Sequence, residues 1–480
     1  MLSRVAVNET LGVTQNTPTV SLRSAMISQR EPRAYQLGVV GLVGVLVLGT
    51  LLSFSVEATG DLLPESLRLG VPSPFLGLLG RTGLHLPAAL VIVALMLLLF
   101  SYVLAVWAAE HLPAWMVLSA ITVFVLVVLV APPTISTDVF SYQAYGQMFR
   151  AYRSNPYLHG TYSICGNGQG LSNNQICAYI GAKWISTPSV YGPLFTLLSS
   201  LWAGSLQLST SAVAASVFAF KSIAAVSAAG TMALLWYAAK LRGVSPVRAV
   251  ALYGLNPLVV FYGIGGGHND LLELLFTTAG IYTVLLHRNR AAGSLITLGA
   301  GIKLTAGLIL PFALASGAEP DADKRRRSLL LGTAITGVVL LGSALIAFRS
   351  GIWHLPSTLD QVQNEGAGQT LPGFISTILH LTTLGHVVGV VLGVIFVGFS
   401  VWLLIKVHRG ELDWIEGAAW ATFGLLVSTS SILPWYGAWM LPLVALSHNR
   451  KLWIATLCFT GWILVTALIV YIPGPTFSGL

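Results

Sequence analysis

Charge is what this chain has least of: Asp, Glu, Lys and Arg together make up 9% of 480 residues, with 17 acids against 25 basic residues. A domain folded in water carries about a quarter charged residues, so this composition excludes an ordinary soluble protein. Cysteine is scarce as well. Only three occur, and no His/Cys spacing of a zinc site accompanies them. A P-loop and a nucleophile elbow are both missing, and Gly265-Gly266-Gly267 lacks the strand and spacing of a dinucleotide fingerprint. Nucleotide-dependent and zinc-dependent chemistry therefore have no support, and no tandem repeat of fixed period is visible.

What is present is apolar: 55% hydrophobic residues and a mean hydropathy of +0.78. This composition belongs to an all-α polytopic membrane protein, because in hydrocarbon each helix satisfies its own backbone polar groups. A spanning helix needs about 20 apolar residues. Candidate spans lie near 36–56, 86–107, 114–131, 212–239, 246–264, 269–287, 328–348, 386–407, 414–432, 434–447 and 452–472, with shorter pieces at 291–302 and 303–316. The expectation is thus about 13 spanning or half-spanning helices.

The formal charge of +8 would suggest nucleic acid in a soluble protein. Here the basic residues gather in short loops between apolar spans, as the positive-inside rule expects of cytoplasmic loops. Arg23, Arg30 and Arg33 precede the first span, Lys240, Arg242 and Arg248 follow the fourth, and His287, Arg288 and Arg290 follow the sixth. Lys324–Arg327, Lys406 with Arg409, and Arg450 with Lys451 belong to the same side. With all of them cytoplasmic, residues 1–33 are expected to be a disordered cytoplasmic tail without a cleavable signal. Residues 34–131 are N-terminal spans, 132–211 a large external loop, and 212–480 the transmembrane core with a second external loop at 349–385. The stretch 291–316 must enter and return as two half-spans, with Lys303 at the outer turn.

The large loop is expected to carry two interfacial helices. In the first, starting at Asp138, Phe140, Ala144, Tyr145, Met148, Phe149 and Tyr152 recur at helical spacing, while Gln143, Gln147, Arg150 and Ser154 share another face. The second, over 191–202, is too short and too mixed in polarity to cross. Cys165 and Cys177 share the polar part of this loop, so an external location permits a disulfide between them.

Ionisable residues within spans are costly and mark function by default. Four lie in the external half of this threading: Lys221, Asp270, Glu273 and Lys303. His268, Asn269 and Asp270 follow three glycines, and Glu273 shares their helical face. Each has a plainer reading beside the functional one. His-Asn-Asp can be a helix cap, the lysines can snorkel, and Asp138 can cap its helix after Ser136 and Thr137. Pro434-Trp435-Tyr436 can be an aromatic belt, and Arg150, Arg153 and Tyr157 can be anchors.

Taken in order, Thr137-Asp138-Val139-Phe140-Ser141-Tyr142, Asn155-Pro156-Tyr157, Tyr191-Gly192-Pro193-Leu194, Gly-His268-Asn269-Asp270, Ile302-Lys303-Leu304-Thr305 and Pro434-Trp435-Tyr436 form a series. It resembles the GT-C glycosyltransferases, and more narrowly the polyprenol-phosphate-mannose-dependent alpha-1,6-mannosyltransferases of actinobacterial lipomannan biosynthesis. The resemblance implies a GT-C-like fold with paired juxtamembrane helices on the large external loop. It implies Asp138 as catalytic base, and Lys303, Lys221 and His268 around the donor phosphate. Tyr142, Gln143, Arg150, Asn155, Tyr191, Asn269, Asp270, Glu273, Trp435 and Tyr436 are candidates for substrate contact.

The chemistry so implied is inverting transfer of mannose from a polyprenyl-phosphate-mannose lipid to a mannoside or lipoglycan hydroxyl at the external face of the plasma membrane. Neither a metal nor another cofactor is expected, and the partners are membrane lipids rather than nucleic acid. The alternatives are the same fold acting on another lipid-phosphate sugar, such as arabinofuranose or glucose, and a flippase or transporter of lipid-linked sugars. A transporter would show repeated halves and polar sites at the midplane.

Overall fold

Helices fall where apolar runs are bounded by proline, glycine or charge. The computed structural model describes residues 22–55, 86–131, 133, 136–166, 175–180, 184–202, 210–316, 321–364 and 370–469, and every regular element among them is helical. In chain order the main helices are α1 (Leu22–Ser53), α2 (Ala88–Ala108), α3 (Ala114–Val130), α4 (Asp138–Arg150), α5 (Pro193–Trp202), α6 (Thr210–Arg242), α7 (Pro246–Gly254) and α8 (Asp270–Leu285). They continue with α9 (Asn289–Ile302), α10 (Ile309–Ala315), α11 (Ala322–Phe348), α12 (Leu355–Asn364), α13 (Thr382–His408), α14 (Trp414–Ser428), α15 (Leu441–Ala445) and α16 (Arg450–Ile469). Tight turns at Leu304–Leu308 and Pro434–Met440 and a wide one at Leu258–Ile264 connect several of them.

Stretches of α1, α2, α6, α11 and α13 are long and apolar enough to cross a membrane, and α7 with Leu258–Ile264, bent by 42°, passes the same test only when the pair is taken together. The chain is a membrane protein. The expected total of about 13 is not reproduced on length and apolarity, since α8 has 16 residues and α14 has 15, both short of about 20. Of the expected tail, 22–33 belong to α1, whereas 1–21 lie outside the described residues.

The helices run between two chemically distinct poles. At one, Arg242 pairs with Asp413 at 3.1 Å and donates to the Leu446 carbonyl. Arg248 lies 3.6 Å from Glu110 there, and Arg325 and Arg326 donate to the carbonyls of Ala313 and Leu314. Asp138, Lys303, α12 and the Pro434–Met440 turn occupy the other.

Lys303 breaks the helical run with extended backbone, φ −148° and ψ 124°. Past it the chain doubles back, because a Cβ added to Gly299 would sit 3.2 Å from the Ala306 methyl. Small residues make this packing possible. Gly280 faces Ile296 while Gly299 faces Thr277, so α8 and α9 are antiparallel; Gly293 faces Leu329 while Gly301 faces Leu340, so α9 and α11 are parallel. The segment between Arg290 and Lys324 therefore goes up, turns at Lys303 and returns.

In α4 every residue from Val139 to Met148 is buried, Gln143 and Gln147 included. The rest of the loop folds over it. Gly146 lets α5 approach closely, its added Cβ lying 2.6 Å from the Ser199 carbonyl oxygen. The Tyr145 hydroxyl donates to the Thr187 carbonyl at 2.7 Å, and a disulfide joins Cys165 to Cys177.

Candidate active site

The residues that converge come from four separate stretches, each placed by a local device. Asp138 opens α4, where the Ser136 hydroxyl accepts its backbone N–H at 3.1 Å while Thr137 makes no side-chain cap. The Asp138 carboxylate instead approaches His268 Nδ1 at 3.5 Å and keeps 22% of its side chain exposed. His268 is brought there by the three glycines: Gly267 has φ +65°, a conformation open to glycine, and an added Cβ on Gly266 would strike the His268 ring at 2.5 Å. The indole of Trp435 stacks on that ring with centroids 3.5 Å apart. Tyr142, one turn along α4, brings its hydroxyl within 3.4 Å of the same His268 nitrogen and 3.3 Å of Asn269 Oδ1.

Lys303 is held from below by charge and from the side by aromatic faces. Its ammonium donates to Asp270 Oδ1 at 2.7 Å and lies 4.0 Å from the Tyr436 ring centre and 4.8 Å from that of Trp439. Trp439 Nε1 also donates to Asp270 Oδ1, at 2.6 Å. Tyr436 and Trp439 stack on each other, so the Pro434–Met440 turn presents one aromatic platform to the cation. Gly192 fixes the register opposite: its N–H donates to the Ile302 carbonyl, and an added Cβ would collide with the Gly301 carbonyl.

Asp138, Tyr191, Lys303 and Tyr436 face a common cleft that opens to solvent. Its far wall is apolar, with Leu304, Leu359, Val362 and Leu433. Burial pushes the Asp138 carboxyl up to about 6; the Lys303 charge opposes the shift, Asp270 adds to it, and a hydrogen bond from Tyr191 opposes it. A carboxylate raised into this range is still mostly ionised at neutral pH and is a stronger base than an ordinary one, which suits a general base.

Several predicted residues stand elsewhere. Lys221 is fully buried, and its ammonium donates to the Val128 and Ala131 carbonyls, both at 2.7 Å, satisfying the C-terminal end of α3. It neither snorkels nor faces the cleft. Arg150 donates to the Ser200 carbonyl, and Asn155 ties the Tyr157 N–H to the Phe348 carbonyl, so both fasten the loop. Glu273 accepts from the Thr277 hydroxyl at 2.7 Å, and the buried Gln143 amide has no hydrogen-bond partner among the described residues. His268 touches Asp138, whereas Asp270 is the partner of Lys303.

The sequence reading missed Trp439 and Gln363. Trp439 lies three residues beyond Tyr436 in a helical turn, a spacing that alone places it on the same face. Gln363 lines the cleft from α12 and accepts from the Thr429 hydroxyl at 2.5 Å and the Ser431 N–H at 3.3 Å. No local signal marks it, since both partners lie far away in the chain.

A family model described as "Alpha-(1->6)-mannopyranosyltransferase, N-terminal domain" matches residues 37–319, more than half of the chain, and one described as "MptB C-terminal domain" matches 366–478. The chain belongs to this glycosyltransferase family. Alpha-(1->6)-mannopyranosyltransferase A of Mycobacterium tuberculosis is 26% identical over 364 residues, covering 70% of this chain and 66% of that protein. The enzyme of the same name from Corynebacterium glutamicum is 25% identical over 368 residues, 69% of this chain and 71% of that one. The chain thus spans about two thirds of the length of the curated relatives it matches. No solved structure matches.

Proposed function

We propose that the protein transfers mannose from a polyprenyl-phosphate-mannose donor to a hydroxyl of a mannoside or lipoglycan acceptor, forming an alpha-1,6 bond with inversion at the external membrane face. The observation that carries this reading is Asp138 and Lys303 on one open cleft, an acid raised toward neutrality opposite a cation seated on aromatic rings. In the reaction the acceptor oxygen bonds to the sugar C1 as the bond from C1 to the phosphate oxygen breaks. Asp138 takes the hydroxyl proton, and the electron pair leaves with the lipid phosphate, whose growing charge Lys303 meets. Because the leaving group is already a stable anion, no protonating acid and no metal is required.

The family name supports mannose and the 1,6 linkage. The external side is supported by the basic pole carrying Arg242, Arg248, Arg325 and Arg326, opposite the cleft, since the positive-inside rule favours a cytoplasmic place for such a pole. Clustering of the polar groups at one pole speaks against a midplane transporter site. The test is direct: purified protein is incubated with polyprenyl-phosphate-mannose and short alpha-mannosides. A product longer by one mannose, destroyed by an alpha-1,6-specific mannosidase, is expected. Transfer from a nucleotide sugar, or none, would overturn the reading.

A further inference from the structure

A carboxamide on the cleft wall is held by one end only. Among the described residues of α12, Leu359, Val362 and Gln363 line the cleft, and Gln363 is the polar one. Its side chain meets the segment that follows α14, where Oε1 accepts from the Thr429 hydroxyl at 2.5 Å and from the Ser431 N–H at 3.3 Å. A backbone N–H can only donate, so the atom it meets is the carbonyl oxygen, and turning the amide end for end would lose that bond. The segment is itself fastened. The Thr370 hydroxyl donates to the Ser430 carbonyl at 2.8 Å, and a Cβ added to Gly389 of α13 would lie 2.9 Å from Ser430 Oγ.

With the carbonyl oxygen occupied twice, the amide nitrogen stands at the other end with its two N–H donors and no hydrogen-bond partner among the described residues. A carboxylate here would accept the same two bonds, and more strongly. What only an amide adds is the donating end. Other groups on the cleft wall are already engaged: the Tyr145 hydroxyl donates to the Thr187 carbonyl, and Trp439 Nε1 and the Lys303 ammonium both donate to Asp270. The Gln363 amide is thus a neutral donor, fixed in direction by its own oxygen and not spent within the protein.

We propose that Gln363 reads the sugar: its amide donates to a hydroxyl oxygen of a mannose unit held in the cleft, which makes it a specificity-determining residue. A sugar hydroxyl carries two lone pairs for such an N–H. A site built to bond one hydroxyl rejects the analogue that lacks it, because the protein group is then left unpaired. The inference rests on the proposed function, under which donor and acceptor both bring mannose units to the cleft, and it adds a contact that tells one sugar from another.

Full-length protein in nanodiscs is assayed with the parent substrates and with two deoxy series: polyprenyl-phosphate-mannose donors lacking one sugar hydroxyl at a time, and short alpha-mannoside acceptors lacking O2, O3 or O4. For the hydroxyl that meets Gln363, the wild-type ratio of kcat/KM between parent and deoxy analogue should be about tenfold. In Gln363→Met that ratio should fall close to one, while the ratios at the other positions stay as in wild type. The series in which the ratio collapses assigns the contact to donor or to acceptor. A merely structural role would lower the rates of parent and analogues alike and leave every ratio intact. Gln363→Glu, which keeps the two accepted bonds, reads the same ratio if the methionine variant does not fold. Transfer by the folded variant with wild-type ratios at every position would overturn this inference alone. No transfer by the wild type from the lipid donor would overturn the donor reading, and this inference with it.

Discussion

In the proposed reaction Asp138 and Lys303 carry different halves, and single substitutions separate them. Asp138→Asn keeps the shape but cannot take a proton, so kcat should fall about 100-fold or more with donor KM little changed. In the wild type, kcat/KM should decline as pH falls through about 6, because protonation removes the base that burial has raised to that value. A flat profile between pH 5 and 7.5 would mean that Asp138 is not the base. Lys303→Met should weaken donor binding by about 1.5–3 kcal/mol if a charge-assisted hydrogen bond to phosphate is lost. It also strands the Asp270 carboxylate, 1% exposed, with the Trp439 N–H. The double variant Lys303→Met/Asp270→Asn removes that burden, and unaltered donor affinity in it would defeat the phosphate role.

The limits of sequence reading lie mostly between elements. Asp138, His268, Asp270 and Lys303 were legible because ionisable groups in an apolar chain have few reasons to be there. Which of them pair was not, since Asp138 meets His268 across 130 positions and Asp270 meets Lys303 across 33. The spacing put Gln143, Gln147, Arg150 and Ser154 on one face, but it could not show that both glutamines are buried in the folded loop. Lys221 shows the same gap. As a phosphate ligand its loss would raise donor KM; as the cap of α3 its loss strands the Val128 and Ala131 carbonyls in the interior. Lys221→Met should therefore lower stability by about 2–4 kcal/mol, read as a lower midpoint of thermal unfolding, while donor KM in the folded fraction stays near wild type. A selective rise in donor KM at unchanged stability would reverse that assignment.

For the whole molecule the charge pattern makes a stronger statement than hydropathy does. Length and apolarity alone identify five or six crossings, whereas the basic clusters also require the stretch between Arg290 and Lys324 to return to the side it left. The parallel packing of α9 on α11, with Lys303 at the turn between, has that form. Two surface positions test the resulting orientation. Asp323, with 87% of its side chain exposed, stands at the basic pole, and Leu158, 41% exposed, lies in the loop covering α4. In a Cys458→Ser background, which removes the free thiol, Leu158→Cys should react with a membrane-impermeant maleimide on intact cells. Asp323→Cys should react only after permeabilisation. The opposite pattern would put the cleft in the cytoplasm, where the polyprenyl donor reading fails together with the positive-inside argument. Labelling of both cysteines on intact cells would mean that the two poles share one side, and would break the return at Lys303 on which the proposed donor site depends.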